Sequence, residues 1–325
     1  MSVKGRPERE YRSAKHEGTP VSVAALPAMP RRGRLMARQR RVGFALALPA
    51  LVAFTGVILY PFGKSMGLSL FRFTLMTPAP VFDGLANFRR LVEEPALLVS
   101  WVNTLVFVVA TTALTFVLGL AWALIVNQSF RGQALLRAAS LLPWVLPSTV
   151  TAFLWAWILN GQYGLLNAIL LTLGAIDEPV TWLATESGAM AGVILAKTWL
   201  SVPLFMAFFL AGLQSLPQDQ IDAARVDGCH NAGVLRFVVL PHLKPTMVIV
   251  LVLGAMGNLQ QFDVIYAMTQ GGPVRATTTL SIEVFRQAFQ NWNIGLACAI
   301  GVLWFATIAV PAFVYLRALF RAEPA

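Results

Sequence analysis

Charged side chains are scarce in this 325-residue chain. Asp, Glu, Lys and Arg together make up 12% of it, against 57% hydrophobic residues. Soluble domains carry about 25% charged and 45–50% apolar residues, so a freely soluble globular domain is excluded. Cysteine is rarer still: Cys229 and Cys298 stand far apart and offer neither a disulfide framework nor a metal-ligand spacing. The three histidines, His16, His230 and His242, are scattered and form no acid–base set, which tells against an integral membrane enzyme. No Asp/Glu pair lies inside an apolar stretch to relay protons, as many ion-coupled carriers need. A nucleotide-binding loop is also missing. Gly63-Lys64-Ser65 imitates the end of one, but Ile58 occupies the required first glycine position. No fixed repeat of about 20–50 residues is visible, and the two halves show no matching broken segments of the inverted-repeat transporter type.

Apolar runs are what the chain has instead. A bilayer core about 30 Å thick needs roughly 20 apolar residues per helix. Six stretches qualify, at about 43–67, 101–126, 137–159, 188–213, 246–268 and 294–317. The first is too long for the apolar region of a signal peptide and is read as a retained anchor. The expected class is all-α integral membrane, with residues 43–318 as the transmembrane domain.

Positive charge orients it. Residues 1–42 hold eleven Lys/Arg against Glu8, Glu10 and Glu17, which is +8 of the net +10. With the N-terminus inside, the inner segments hold 18 Lys/Arg and the outer ones 6, so both termini, including the short tail 319–325, are placed in the cytoplasm. The 1–42 segment lacks the apolar periodicity of a folded basic domain. It reads as a disordered tail beside anionic lipid rather than a nucleic-acid interface.

One inner segment, 214–245, is patterned. Pro217 suits the first turn of a short helix, Ala223 and Ala224 offer a low surface, and Asp227-Gly228 signals a break. A second amphipathic piece then sets Val234, Phe237, Val238 and Leu240 on one apolar side before Pro241 stops it. On these grounds alone an interfacial connector and a docking element fit equally well.

The same residues resemble a known pattern. Asp222-Ala223-Ala224-Arg225-Val226-Asp227-Gly228, Phe237, Leu240-Pro241 and Pro245 look like the cytoplasmic Glu-Ala-Ala-x-x-x-Gly loop of binding-protein-dependent ABC importer permeases, in the extended form of the sugar-importer branch. Asp222 departs from the usual Glu, and Cys229-His230 from the common Ala-Ser. Further matches are Asp83-Gly84-Leu85-Ala86-Asn87-Phe88, Asn103-Thr104, Gly119-Leu120-Ala121, Leu142-Pro143, Trp155-Ala156-Trp157, Gly164-Leu165-Leu166-Asn167 and Thr269-Gln270-Gly271-Gly272-Pro273 with Thr278-Thr279-Leu280. They run in order over about 45–318.

The resemblance implies a type I ABC importer permease fold in a bacterial or archaeal cytoplasmic membrane, and a subunit that does no chemistry. It implies a second permease, two ATPase subunits that hold ATP–Mg, and an extracytoplasmic binding protein that delivers a sugar-type solute. It makes the Asp222–Pro241 loop the coupling element. No cofactor is expected on this chain. The competing reading is an autonomous ion-coupled secondary transporter.

A permeation path needs polar and aromatic side chains. The fifth span offers Asn258, Gln260, Gln261, Asp263 and Tyr266, and the fourth offers Lys197, Trp199 and Ser201. Each of these amides and rings fits either a sugar or a neighbouring helix. Trp155, Trp157, Trp182 and Trp199 can be read as a sugar-stacking set, although interfacial belts and bundle packing explain most tryptophans in such chains. Lys197 lies deep in its span, where a cation faces protein or water. Asp263 is its expected counter-ion, and an acidic solute is the other possibility. Disaccharides, oligosaccharides, acidic sugars and polyol phosphates all remain open as cargo.

Overall fold

The computed structural model describes residues 32–76 and 79–322. The expected basic tail lies outside the described residues as far as residue 31, as do the last three residues of the C-terminal tail, 323–325. The chain divides into two units at Leu59. The first carries helix α1, Arg32–Phe54, and a π-helical turn at Thr55–Leu59. Helix thus begins at Arg32, ahead of the expected boundary at 43.

The second unit opens with α2 (Tyr60–Leu68) and a small antiparallel hairpin, β1 (Phe71–Arg72) and β2 (Val81–Phe82), in which Phe71 pairs with Phe82. Short α3 (Ala86–Glu93) leads into long α4 (Pro95–Val126). Pro95 stands at the first turn of α4, where its missing N–H costs nothing. At the other end the Val126 carbonyl accepts from Arg137 Nε and Nη2 at 3.0 and 2.9 Å. That satisfies a helix-end acceptor with a favourable charge.

The third predicted span is not one straight helix. Three pieces, α5 (Gln133–Ser140), α6 (Leu142–Val145) and α7 (Ser148–Ile158), replace it, with a 96° bend between Gln133–Val145 and Ser148–Ile158. Pro147 is the cause. The residue before proline is pushed out of the helical region, and Leu146 is extended at φ −70°, ψ 140°. After α8 (Leu165–Thr172), α9 (Glu186–Gln214) matches the fourth predicted span, and Thr185 caps it by accepting from the Gly188 N–H.

The fifth predicted span is displaced. Continuous helix runs over Asn231–Leu259, from α11 (Asn231–Val234) through a π-helical stretch, Leu235–Val239, into α12 (Leu240–Leu259). Pro241 does not stop this helix, contrary to expectation. It sits in the first turn of α12, directly after the π turn, where the helical hydrogen-bond ladder is already shifted. Beyond Leu259 the chain breaks at Gln260–Phe262 and restarts as α13, Asp263–Thr269. The sequence closes with α14 (Leu280–Phe285), a π turn at Arg286–Gln290, and α15 (Ile294–Ala322).

Among the described residues, four helices are long and apolar enough to cross a membrane, and the bent pair counted as one makes five. The apolar part of α15, Ile294–Val310, is shorter.

The core is built around α4 and α9, which have the most extensive mutual packing of any helix pair. A Cβ on Gly119 would lie 2.7 Å from Phe205 Cβ, so these two helices approach as closely as only glycine allows. The largest apolar cluster holds Ala123, Val126, Met206, Phe209, Leu213, Val234, Leu243 and Val250, and so joins α4, α9 and α12. A second, around Ala152, Ala196, Leu200 and Val264, joins α7, α9 and α13.

Candidate docking segment and intramembrane polar face

Helix α10, Gln218–Val226, follows α9 after a break at Pro217. Its charges suit the helix dipole, with Asp219 in the first turn and Arg225 in the last. Its end is a Schellman motif: the Gly228 N–H donates to the Arg225 carbonyl at 3.0 Å and the Cys229 N–H to the Ala224 carbonyl at 2.9 Å. The motif demands a left-handed residue, and Gly228 has φ +87°. The expected helix–Gly–helix is therefore formed, and the Asp227-Gly228 signal has a conformational cause.

The faces of α10 divide cleanly. Ile221, Ala224 and Cys229 pack on the cluster shared with α9 and α12. Asp222, Ala223, Arg225, Asp227 and Gly228 are exposed. Asp222 accepts from Gln218 Nε2 at 3.3 Å and faces Arg225 Nη1 at 3.6 Å. Val226 is 88% exposed and Phe237 68%, with the Arg236 guanidinium 5.7 Å from the Phe237 ring centre. Phe237 is thus not on the buried side with Val234, as the amphipathic pattern predicts. The π turn across Leu235–Val239 shifts the register, so that Val239 is buried and Phe237 faces outward. Leu240 is half-buried and Pro241 exposed. Val226 is the residue that sequence reasoning passed over. Its signal was a β-branched apolar side chain beside Asp227-Gly228 on an otherwise polar helix.

The candidate path residues separate into three places. Asn258 is buried and donates to Thr112 Oγ1 at 3.0 Å, which fastens α12 to α4. Gln261 is buried as well, and its backbone carbonyl accepts from Ser281 Oγ at 2.7 Å. Tyr266 is half-buried in a ladder of rings, stacked on Phe262 and edge-on to Phe285, each at 5.0 Å. These three are tied into the bundle.

Lys197, Ser201, Gln260 and Asp263 form a second group. Lys197 and Ser201 are four residues apart on one face of α9 and half-buried, whereas Gln260 and Asp263 are exposed at the break before α13. Asp263 acts on Lys197 electrostatically, yet the expected ion pair is not formed. The Asp263 carboxylate instead accepts from Ser148 Oγ at 2.8 Å. Ser148 opens α7 after the bend, and sequence reasoning missed it. A serine just after Leu146-Pro147 is a helix-start signal.

Trp199 belongs to neither group. It lies on the opposite side of α9, with Leu195, Thr198 and Val202, where it lines a cavity of about 570 Å³ together with Leu118, Trp122 and Trp155. Trp155 and Trp199 meet edge-on at 6.2 Å. The cavity wall is almost wholly apolar.

Several recognised motifs turn out to be fasteners. Asn87 donates to the Ser69 and Phe71 carbonyls at 2.9 Å and anchors the hairpin. Asn103 donates to the carbonyls of Arg275 and Thr278, and Thr104 Oγ1 accepts from the Leu280 N–H, so the Thr269–Leu280 loop is laced to α4. Arg275 also pairs with the fully buried Glu283. Asn167 joins the Gly161 and Val180 carbonyls to the Trp182 indole. Among the described residues no group of His, Cys, Asp and Glu could hold a metal ion.

Comparison with known proteins agrees with this arrangement. Residues 115–322 match the family described as the binding-protein-dependent transport system inner membrane component. The trehalose/maltose transport system permease protein MalF of Thermococcus litoralis is 34% identical over 284 residues, 87% of this chain and 95% of that protein. The trehalose transport system permease protein SugA of Mycobacterium tuberculosis is 33% identical over 295 residues, 90% of this chain and 93% of that protein. The sulfoquinovosyl glycerol transport system permease protein SmoG of Agrobacterium fabrum is 31% identical over 279 residues, 86% of this chain and 90% of that protein. Among solved structures, a bacterial ABC transporter involved in the import of the acidic polysaccharide alginate aligns over 90% of this chain and 100% of its own, at a TM-score of 0.75 and 20% identity. At that identity the likeness establishes the fold, that of an ABC importer permease. The chain belongs to the family of inner-membrane permease components of binding-protein-dependent transport systems.

Proposed function

We propose that this chain is one permease of an ATP-driven importer for a sugar-like solute, coupled to a separate ATPase through α10. The observation that carries the reading is the construction of α10. It is a rigid, Schellman-terminated helix whose inner face merges with the α9–α12 core, while Asp222, Arg225 and Val226 are left exposed. A partner that displaces α10 acts, through Ile221 and Ala224, on the apolar cluster that α9 and α12 share. Coupling between two sites needs such an element, one whose position the partner's state can bias.

The other parts follow from the family. An extracytoplasmic binding protein delivers the cargo, a second permease completes the path, and two ATPase subunits hold ATP–Mg. The relatives are named for trehalose, maltose and sulfoquinovosyl glycerol transport, so a saccharide is the cargo class that this kinship supports. Hydrolysis belongs to the partner. Six spans with both termini in the cytoplasm fit the bias in Lys and Arg. The broken third span counts as one of them and α15 as the last. Family membership disfavours the autonomous ion-coupled carrier.

Copurification tests the reading. An ATPase should stay bound to the wild-type complex and be lost after Val226→Asp or Gly228→Pro, with the permease still inserted in the membrane. If no ATPase associates with the wild-type chain, the reading is wrong.

A further inference from the structure

Among the described residues, Lys197 is a charge deep inside a membrane-spanning helix that has no ion-pair partner within 4 Å. It lies eleven residues into α9, about 16 Å from Glu186 at 1.5 Å per residue, and so near the middle of a bilayer core about 30 Å thick. An ionisable side chain at that depth faces a bundle interior or a water-filled cavity and marks a functional site by default. Lys197 forms no ion pair and no hydrogen bond among the described residues.

Asp263 is near enough to act on Lys197 electrostatically but forms no contact ion pair with it. Its carboxylate accepts from Ser148 Oγ, and it opens α13, where the helix dipole favours a negative charge. A neutral hydroxyl leaves the carboxylate its charge, which reaches Lys197 from beyond contact distance. The lipid-like side of the helix is elsewhere: Leu195, Thr198, Trp199 and Val202 line the apolar cavity on the face of α9 opposite Lys197. The Lys197 face carries Ser201 one turn on, with the exposed Gln260 and Asp263 at the α12–α13 break. It is a polar face whose cation makes no contact ion pair.

We propose that Lys197 supplies the counter-charge for an anionic group on the cargo, so that the solute is a saccharide or polyol bearing a carboxylate, phosphate or sulfonate. The inference rests on the importer reading above and narrows its cargo. An oxyanion passing this face meets the half-buried Lys197 side chain beside Ser201. The neighbouring Asp263 carboxylate limits how tightly that anion is held. A transport site requires this balance, because a solute bound too firmly does not leave.

The test uses the complete importer, with its binding protein, second permease and ATPase, in proteoliposomes. The probes are a glucuronate-containing disaccharide, glycerol phosphate, sulfoquinovosyl glycerol and the neutral disaccharide trehalose. ATP-dependent uptake of at least one anionic probe is expected, lost in Lys197→Met and restored in Lys197→Arg, with the ATPase still copurifying. The particular probe retained distinguishes carboxylate, phosphate and sulfonate cargo.

Uptake of trehalose but of no anionic probe overturns the proposal. So does uptake that Lys197→Met leaves unchanged. Equal loss of neutral and anionic uptake in Lys197→Met also overturns it, since the lysine then pairs with an acidic residue of the second permease. A wild-type complex that retains no ATPase and moves nothing refutes instead the importer reading on which the inference rests.

Discussion

Gly228 shows how one residue controls a larger feature. A Cβ there would meet no atom within 4 Å, so Gly228→Ala is opposed only by its φ of +87°. The expected cost is about 1–2 kcal/mol, read as a lower unfolding midpoint of the purified permease, together with weaker ATPase retention. Gly119→Ala is opposed by sterics instead, because its Cβ would lie 2.7 Å from Phe205 Cβ and 3.3 Å from the Met206 nitrogen. Overpacking of this kind costs about 1–3 kcal/mol. Its signature is thermal destabilisation with α10 still competent to bind its partner. The glycine at 228 was legible because Asp-Gly after a helical run is a local signal. Gly119 was matched only as part of a motif, since nothing in its neighbourhood in sequence announces Phe205, which comes from another helix.

At the scale of elements, the two breaks matter most. Pro147 bends the third span by 96°, and the α12–α13 break exposes Gln260 and Asp263. A bilayer tolerates non-helical backbone only where protein or a water-filled cavity covers it. Composition found both segments and missed both breaks, because hydropathy counts apolar residues and is blind to direction. The π turn at Leu235–Val239 escaped for a related reason: the 3.6-residue pattern assumes a register that the turn shifts, and Phe237 moved to the exposed side with it. Phe237→Asp is therefore expected to leave the permease inserted and folded while reducing ATPase copurification. Retention at the wild-type level would remove Phe237 from the docking surface.

The Thr269–Leu280 loop is an element held from a distance. Asn103 and Thr104 reach its backbone across more than 170 residues of sequence, and the fully buried Glu283 pairs with Arg275. Removing one member of a buried pair leaves the other uncompensated, at about 3–5 kcal/mol where both are fully buried. Arg275 retains some exposure, so Glu283→Gln is expected toward the low end. Proteolysis of this loop in the native complex is the measurement, with faster cleavage the expected result.

For the whole molecule, the polar and apolar faces of α9 point to division of labour. One side carries Lys197 and Ser201, the other the cavity with Trp199. Reading the fourth span as a list of path candidates had placed Trp199 with Lys197. Helical geometry separates them, because residues two apart on a helix do not share a face. The importer reading makes a prediction at this scale: proteoliposomes holding this chain alone should show no ATP-dependent uptake, which should appear only with the second permease, ATPase and binding protein added. Uptake by the isolated chain driven by an ion gradient would restore the autonomous carrier.

The sequence by itself determined the membrane class, the order of the apolar segments, the helix break at Asp227-Gly228 and the resemblance to the family. The first three depend on signals carried within about 20 residues, hydropathy and glycine conformation, and the family on motifs that run in order along the chain. Only the tertiary structure decided which polar residues are fastened and which are free. Asn258 is taken by Thr112, 146 residues away, and Asp263 by Ser148, 115 residues away. A hydrogen bond between separate helices is set by how those helices pack, and no local pattern encodes it. That same packing keeps Lys197 out of contact with Asp263, its expected partner.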